Sequence, residues 1–289
     1  MIRIGFTSYS FAQALKSGQM DICEVIRFAA RLGAQHMEIC PNSMFEMNPE
    51  TIAKIVAAAK ETQLPLSSYT IAADFVQPDA AALAREIERV KNEVEIAAAL
   101  GVTRMRHDCG CRPKEECSCE QFNRELEIFA DACGQIADKA KTYGIVTSIE
   151  NHGFYVQHSE RVQRVILAVN RDNFRTTMDV GNFHCVDEDP ECAVLNNIGF
   201  ASMIHFKDFH IRRQVTDPAG FIRTLHGRYL RGAVTGDGDV DLPSICKIIR
   251  NSGYDGYLSI EYEGREECKF ACTRAIKNVK ELMEAADRA

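Results

Sequence analysis

Tyr257-Leu-Ser-Ile-Glu-Tyr-Glu-Gly264 reads as a short apolar strand that delivers a carboxylate, Glu261, just ahead of a glycine turn. The same arrangement occurs three times upstream. Thr147-Ser-Ile-Glu150 precedes Asn-His-Gly, Thr176-Thr-Met-Asp179 precedes Val-Gly, and Met203-Ile-His205 precedes Phe-Lys-Asp. Four strand-like runs thus each finish on a side chain able to bind a metal ion. A strand end is a rigid mount, and the loop beyond it is where chemistry is usually presented.

Outward from these runs, the chain alternates strands and helices. Ile2–Thr7 is the first strand. Asp21 and Glu24 form a capping box ahead of Ile22, Val25, Ile26, Ala29 and Leu32 at helical spacing, and Gly33 stops that helix. His36–Cys40 is the second strand, and Asn48-Pro49 opens a helix striped by Ile52, Ile55, Val56 and Ala59. Leu66–Phe75 and Val102–Arg106 are strands three and four, each followed by a long amphipathic helix. Ile145–Glu150, Phe174–Asp179 and Ala201–Phe206 follow, each with a helical partner or a loop behind it. The irregular stretch 207–238 is expected to hold a helical piece near 219–225. Leu242–Arg250 is a helix, Gly256–Tyr262 the eighth strand, and Phe270, Ala275, Ile276, Val279 and Leu282 mark the last helix.

Eight strand-then-helix units without a linker imply a parallel sheet. Eight units in this length are the size of a closed (β/α)8 TIM barrel, an α/β fold occupying residues 1–289 as one domain. An open doubly wound sheet is the alternative, but Gly5-Phe-Thr-Ser-Tyr-Ser lacks the phosphate-loop spacing that such folds carry after their first strand.

Composition narrows the partners. Hydrophobic residues at 46% and charged residues at 26% fit a globular chain. A net charge of −7 argues against a nucleic-acid backbone as partner. No apolar run reaches the length needed to span a bilayer, so no membrane role is expected. The N-terminus starts directly as a strand without the features of an export signal, which makes a cytoplasmic location the expectation. There the 12 cysteines would be thiols rather than disulfides.

In a closed barrel all strand ends meet at one face, and that face holds the active site. Glu150, Asp179, His205 and Glu261 would then end four consecutive strands, within reach of a single ion. Three carboxylates and one imidazole make a hard, oxygen-rich set suited to Mn²⁺ or Mg²⁺, with Co²⁺ or Zn²⁺ as alternatives. Each residue alone could equally be a helix cap or a satisfied core group. Four equivalent positions on consecutive strands make coincidence a poor explanation.

The patterns Ile149-Glu-Asn-His-Gly153, Met178-Asp-Val-Gly-Asn182, Ile204-His-Phe-Lys-Asp208, Gly236-Asp-Gly-Asp-Val-Asp-Leu242 and Gly253-Tyr-Asp-Gly-Tyr-Leu-Ser-Ile-Glu261 resemble the sugar phosphate isomerase/epimerase group of the xylose isomerase-like barrel superfamily. The resemblance runs through most of the chain and is tightest from Ile145 onward. It implies one divalent ion held by Glu150, Asp179, His205 and Glu261. It also implies that Glu150 and Glu261 act as the catalytic pair on opposite sides of a substrate carbon. One glutamate removes a proton beside a carbonyl to give an enediolate, and the other returns it to the opposite face or the next carbon. The implied substrate is a small carbohydrate or cyclitol, and a homodimer or larger homo-oligomer is a possible assembly. Asn182 stands where many epimerases carry histidine, and Ile211, beside Arg212, where they carry a substrate-binding arginine. The His205-Phe-Lys-Asp208 form is closer to the isomerase and dehydratase branches. A dehydratase acting on a keto-cyclitol is therefore the alternative activity. Less favoured are an endonuclease IV-like phosphodiesterase and a barrel that only binds carbohydrate.

Substrate contacts are expected from Glu38, His107, His152, Asn182 and Lys207, all near predicted strand ends. Cys109-Gly-Cys111 and Cys117-Ser-Cys119 bracket a polar loop and raise the question of a second metal, although structural zinc sites usually space their cysteines more widely.

Overall fold

The computed structural model describes residues 2–288. Its strands, in chain order, are β1 (Arg3–Thr7), β2 (Met37–Ile39), β3 (Leu66–Thr70), β4 (Arg104–His107), β5 (Val146–Glu150), β6 (Phe174–Asp179) and β7 (Ala201–Phe206). A small sheet follows, made of β8 (Phe209–Arg212), β9 (Ile222–Arg223) and β10 (Tyr229–Gly232), and then comes β11 (Tyr257–Ile260). The first seven strands and β11 form a closed parallel barrel in the order β1-β11-β7-β6-β5-β4-β3-β2. Helices between the strands cover its outside, as the strand-helix alternation requires.

Local signals explain most boundaries. The Asp21 carboxylate accepts from the Glu24 N–H at 2.8 Å while Glu24 accepts from the Asp21 N–H at 2.8 Å, so helix Ile22–Arg31 starts on a complete capping box. Asn48 caps helix Pro49–Thr62 in the same way. On the strands, Ile149, Met178, Ile204, Leu258 and Ile260 point outward and are fully buried under the helices. Each such side chain contributes roughly 1.5–3 kcal/mol of hydrophobic stabilisation. The intervening residues point inward, and many are polar: Ser68, Thr70, Ser148, Thr177 and Ser259 are all buried there.

The register puts the ends of β5, β6, β7 and β11 side by side. Glu150 pairs with Thr177, Asp179 with His205, and His205 with Ser259. Residues level with one another across a parallel barrel share a face, so the inward positions converge at the C-terminal rim.

Several expectations are corrected. The stretch 207–238 carries no helix near 219–225; it forms the antiparallel sheet β8-β10-β9. Gly220 (φ +71°) and Gly227 (φ +98°) take left-handed conformations that interrupt a helix. Alternation instead buries Leu230 against Phe209 and Cys185. The third strand is shorter than predicted. After Thr70 the chain leaves the barrel, and the Asp74 carboxylate accepts from the N–H groups of Val76 and Cys111. Phe270 lies outside the apolar stripe of the last helix at 60% exposure, and Val56 is likewise exposed. Cys268, Ala271 and Cys272 line the buried side of that helix.

Candidate metal centre

Glu150, Asp179, His205 and Glu261 meet at the rim, each offering one ligand atom, with all four atoms within 4.8 Å of one another. All four side chains are buried. The His205 Nδ1 lies 3.0 Å from Glu261 and 3.5 Å from Glu150. Its Nε2 lies 2.8 Å from Glu38 on β2, across the barrel. Burial opposes a charge on this imidazole, but Glu38, Glu261 and Glu150 together hold its pKa well above the usual histidine range.

Asp179 is held by its backbone surroundings. Its Oδ1 accepts from the N–H groups of Gly181 and Asn182 at 2.8 and 2.9 Å. Gly181 is required at this turn, since a Cβ there would approach the Lys207 carbonyl oxygen to 2.7 Å. The other oxygen, Oδ2, is buried, faces Lys207 Nζ at 3.3 Å, and accepts no hydrogen bond among the described residues. Burial, with the Glu261 and Glu150 carboxylates, pushes Asp179 up to about 7 against the pull of Lys207.

Lys207 projects from the end of β7 into the same cluster. Its Nζ sits 3.4 Å from Glu261, 3.5 Å from Glu263 and 3.2 Å from the Asn182 amide oxygen. Burial opposes the ionisation of Glu261, but Lys207 and His205 hold its pKa well below the ordinary carboxylate range. Arg106 on β4 completes the ring, with Nε 2.9 Å from Glu150 and its terminal nitrogen 2.6 Å from Asp108.

This donor set suits a divalent cation. Six carboxylates (Glu38, Asp108, Glu150, Asp179, Glu261 and Glu263) surround two permanent cations, Arg106 and Lys207, and two imidazoles, His205 and His152. Negative charge is in excess, and one buried carboxylate oxygen lacks a donor. An ion at this point could use Asp179 Oδ2 and His205 Nδ1, while Glu38 would hold the other ring nitrogen. Buried carboxylates behind a ligating histidine commonly set its tautomer and orientation.

A cavity of about 160 Å³ opens above the cluster, lined in part by Tyr9, Thr70, Arg106, His152, Lys207 and Glu261. Of the five expected substrate contacts, His152 and Lys207 line it. Glu38 does not: it is completely buried between Thr70 and His205. Asn182 also lies beneath the cavity, donating to Glu150 Oε1 at 2.9 Å and accepting from Lys207.

His107 is turned away altogether. It occupies an outward position on β4, its Nδ1 bonded to the Asp108 carbonyl and its ring between Phe75 and Phe174. The inward residue is its neighbour Arg106, which sequence reading passed over. Arg106 pairs in register with Ser148, two residues from Glu150 on the same face of β5, and strand alternation alone would have identified it. Tyr9 and Glu263 also reach the cavity. Burial and the Glu263 and Glu261 carboxylates push the Tyr9 hydroxyl up to about 12.

The four loop cysteines do not gather. Cys109 packs 4.0 Å from Cys133, Cys117 faces the Arg112 and Pro113 carbonyls, Cys119 lies beside Arg161, and Cys111 is exposed. Asp208 is structural: its carboxylate accepts from the N–H groups of Phe209, Gly236, Gly238 and Val240. That contact ties the His205-Phe-Lys-Asp208 motif to the Gly236-Asp-Gly-Asp motif.

A profile of the xylose isomerase-like TIM barrel matches residues 26–288. The chain belongs to that family. Among relatives of this barrel is the inosose dehydratase of Lacticaseibacillus casei, 29% identical over 146 residues, covering 48% of this chain and 47% of the relative. An inosose isomerase of Halalkalibacterium halodurans is 27% identical over 153 residues, covering 51% and 50%. The chain thus spans about half the length of the curated relatives it matches. The crystal structure of a D-allulose 3-epimerase from Methylomonas sp. superposes on 97% of this barrel and 98% of its own chain, with a TM-score of 0.73 and 17% identity. That likeness is one of fold. No helix among the described residues is long and apolar enough to cross a membrane.

Proposed function

We propose that this barrel is an isomerase or epimerase of a small polyhydroxylated carbonyl compound, a sugar or a cyclitol, dependent on one divalent ion. The observation that carries the reading is the convergence of Glu150, Asp179, His205 and Glu261 at the mouth of the barrel, beside a polar cavity. Manganese or magnesium suits the donors best. Such an ion would supply Lewis-acid stabilisation for negative charge on substrate oxygens.

The chain's own residues perform the proton chemistry. Glu150 and Glu261 approach the cavity from different strands, and both line it. Glu261, which Lys207 and His205 keep ionised, would accept a proton from the carbon beside the carbonyl. Glu150, fixed by Arg106 and Asn182, is placed to exchange a proton on the other side. His152 and Tyr9 border the cavity and would contact substrate hydroxyls. Arg106 and Lys207 provide positive charge where an enediolate of the substrate develops its own.

A second reading, dehydration of a keto-cyclitol, is favoured by Lys207. Its buried ammonium lines the cavity within 3.5 Å of Asp179, Glu261 and Glu263 and could give a proton to a departing hydroxyl. The inosose dehydratase relative fits the same chemistry. Incubation with ketoses and inososes in deuterated water, with and without Mn²⁺, separates the two. Isomerisation or epimerisation gives a product of unchanged composition with deuterium at carbon, whereas dehydration gives a product lighter by one water. No deuterium at carbon and no product from the whole panel would defeat both. The reaction is proposed for a reducing cytoplasm, in a protein that acts alone or as a homo-oligomer and without nucleic acid.

A further inference from the structure

The cavity above the cluster is not closed. Ala72, Asp108 and His152 border both this cavity and a second one of about 320 Å³, which lies beside it between the loops that follow β3, β4 and β5. The second space is the larger, and its walls include Ala72, Ala73, Gly110 and Gly153, which offer carbon surface and little bulk. A Cβ on Gly110 would meet the Phe129 ring at 2.9 Å and Val76 at 3.0 Å, so this wall is built tightly against the core.

The charges around the second cavity are already satisfied. Arg89 donates to Glu86 and to the Ala72 carbonyl, both at 2.7 Å, and faces Glu93 at 3.6 Å. Glu86 also accepts from the Asp74 N–H, and Asp74 accepts from Val76 and Cys111. Asp108 is taken by Arg106 and His152. No free cation remains here for a phosphate or carboxylate, and three carboxylates would repel one. A cavity of this kind accepts an uncharged, carbon-rich group, because apolar area removed from water stabilises the complex without stranding a charge.

We infer that the substrate has two parts: a carbonyl-bearing ring seated at the Glu150–Asp179–His205–Glu261 cluster, and a neutral apolar substituent extending past Ala72 into the second cavity. The substrate class is then a glycoside-like sugar with an uncharged aglycone, not a sugar phosphate. This rests on the proposed sugar chemistry at the cluster, and it adds an aglycone subsite between the β3, β4 and β5 loops.

Cys111 makes the subsite testable, because its side chain is exposed and lines only the second cavity. The probes are phenyl 3-keto-β-D-glucoside, methyl 3-keto-β-D-glucoside and glucose 6-phosphate, titrated calorimetrically into the Mn²⁺-loaded protein. The phenyl glycoside is expected to bind at least tenfold more tightly than the methyl glycoside, and the phosphate no more tightly than the methyl glycoside. In Cys111→Trp the phenyl advantage should vanish while methyl glycoside affinity stays within twofold. Should that variant fold poorly, a bulky maleimide on Cys111, with Cys119 and Cys192 changed to serine, serves the same purpose. Equal affinity of the two glycosides, no phenyl glycoside binding at millimolar concentration, tighter binding of the phosphate, or an advantage that survives the block overturns the inference. If no sugar is turned over yet the phenyl advantage appears and is lost on blocking, the proposed reaction falls and the subsite stands. Turnover without a phenyl advantage has the reverse meaning.

Discussion

Glu38 and His205, 167 residues apart, are joined across the barrel by a 2.8 Å contact between Oε2 and Nε2. Both side chains are almost completely shielded from solvent. The contact leaves Nδ1 of the imidazole turned toward Glu261 and Glu150. A glutamate expected to touch substrate is instead the residue that aims a histidine.

Glu38→Gln should therefore weaken Mn²⁺ binding by about 10–100-fold, the usual effect of losing a carboxylate behind a ligating histidine. Turnover at saturating Mn²⁺ should largely recover. Metal titration followed by kinetics checks both. Unchanged affinity in this variant would mean that the pair matters only to packing.

Metal loading should release protons. Asp179, pushed up to about 7 by burial and its carboxylate neighbours, is protonated below that pH, and a cation must displace the proton. Affinity for Mn²⁺ should accordingly fall as pH drops from 8 to 6, by up to about tenfold per pH unit for each proton displaced. Calorimetry in buffers of different ionisation enthalpy counts the protons directly, and Asp179→Asn should lower the count.

The buried His36 sets a second pH dependence, on stability. Its ring is bonded to Ser67 and the Leu258 carbonyl, and burial pushes its pKa down to about 4 from an unfolded value of 6.5. A depressed histidine leaves the native state fully stable above the unfolded pKa. As pH falls from 6.5 toward 4 the unfolded chain takes up the proton first, which removes about 3 kcal/mol in total. Urea unfolding at pH 7 and pH 4.5 should show this loss in the native protein, with a smaller loss in His36→Gln.

Lys207→Met removes an ammonium from among Asp179, Glu261 and Glu263. Breaking a buried charge set of this kind costs about 3–5 kcal/mol, and Mn²⁺ should restore part of it by replacing the lost positive charge. If the reaction is a dehydration that uses Lys207 as the acid, the variant should still exchange substrate carbon protons with solvent but release no water. Deuterium incorporation measured beside product formation distinguishes the outcomes.

Much of this architecture was legible in the sequence because barrel strands end where a periodic apolar run meets a glycine turn. The runs ending in Glu150 and Asp179 state both the strand and the carboxylate it delivers to the rim. Two kinds of information were less accessible. The first was side-chain direction: His107 and Arg106 are adjacent, and only the register of β4 on β5 shows that the arginine faces inward. The second was structure held by few long-range contacts. The β8-β10-β9 sheet rests on Leu230 against Phe209 and Cys185, too small an apolar signal to mark three short strands within 207–238. Glu38 combines both problems, since its partner lies on a strand far away in sequence.

The central claim is that Glu150, Asp179, His205 and Glu261 together hold one divalent cation on which the chemistry depends. Mn²⁺ titration followed by electron paramagnetic resonance of the free ion tests it most directly, run on the native protein, Asp179→Ala, His205→Ala, Glu150→Gln and Glu261→Gln. The account predicts one ion per chain in the native protein, affinity reduced at least tenfold in all four variants, and turnover lowered about 10²–10⁴-fold in the two glutamine variants even when loaded. Native affinity retained in Asp179→Ala and His205→Ala, or full turnover after thorough chelation, would contradict it.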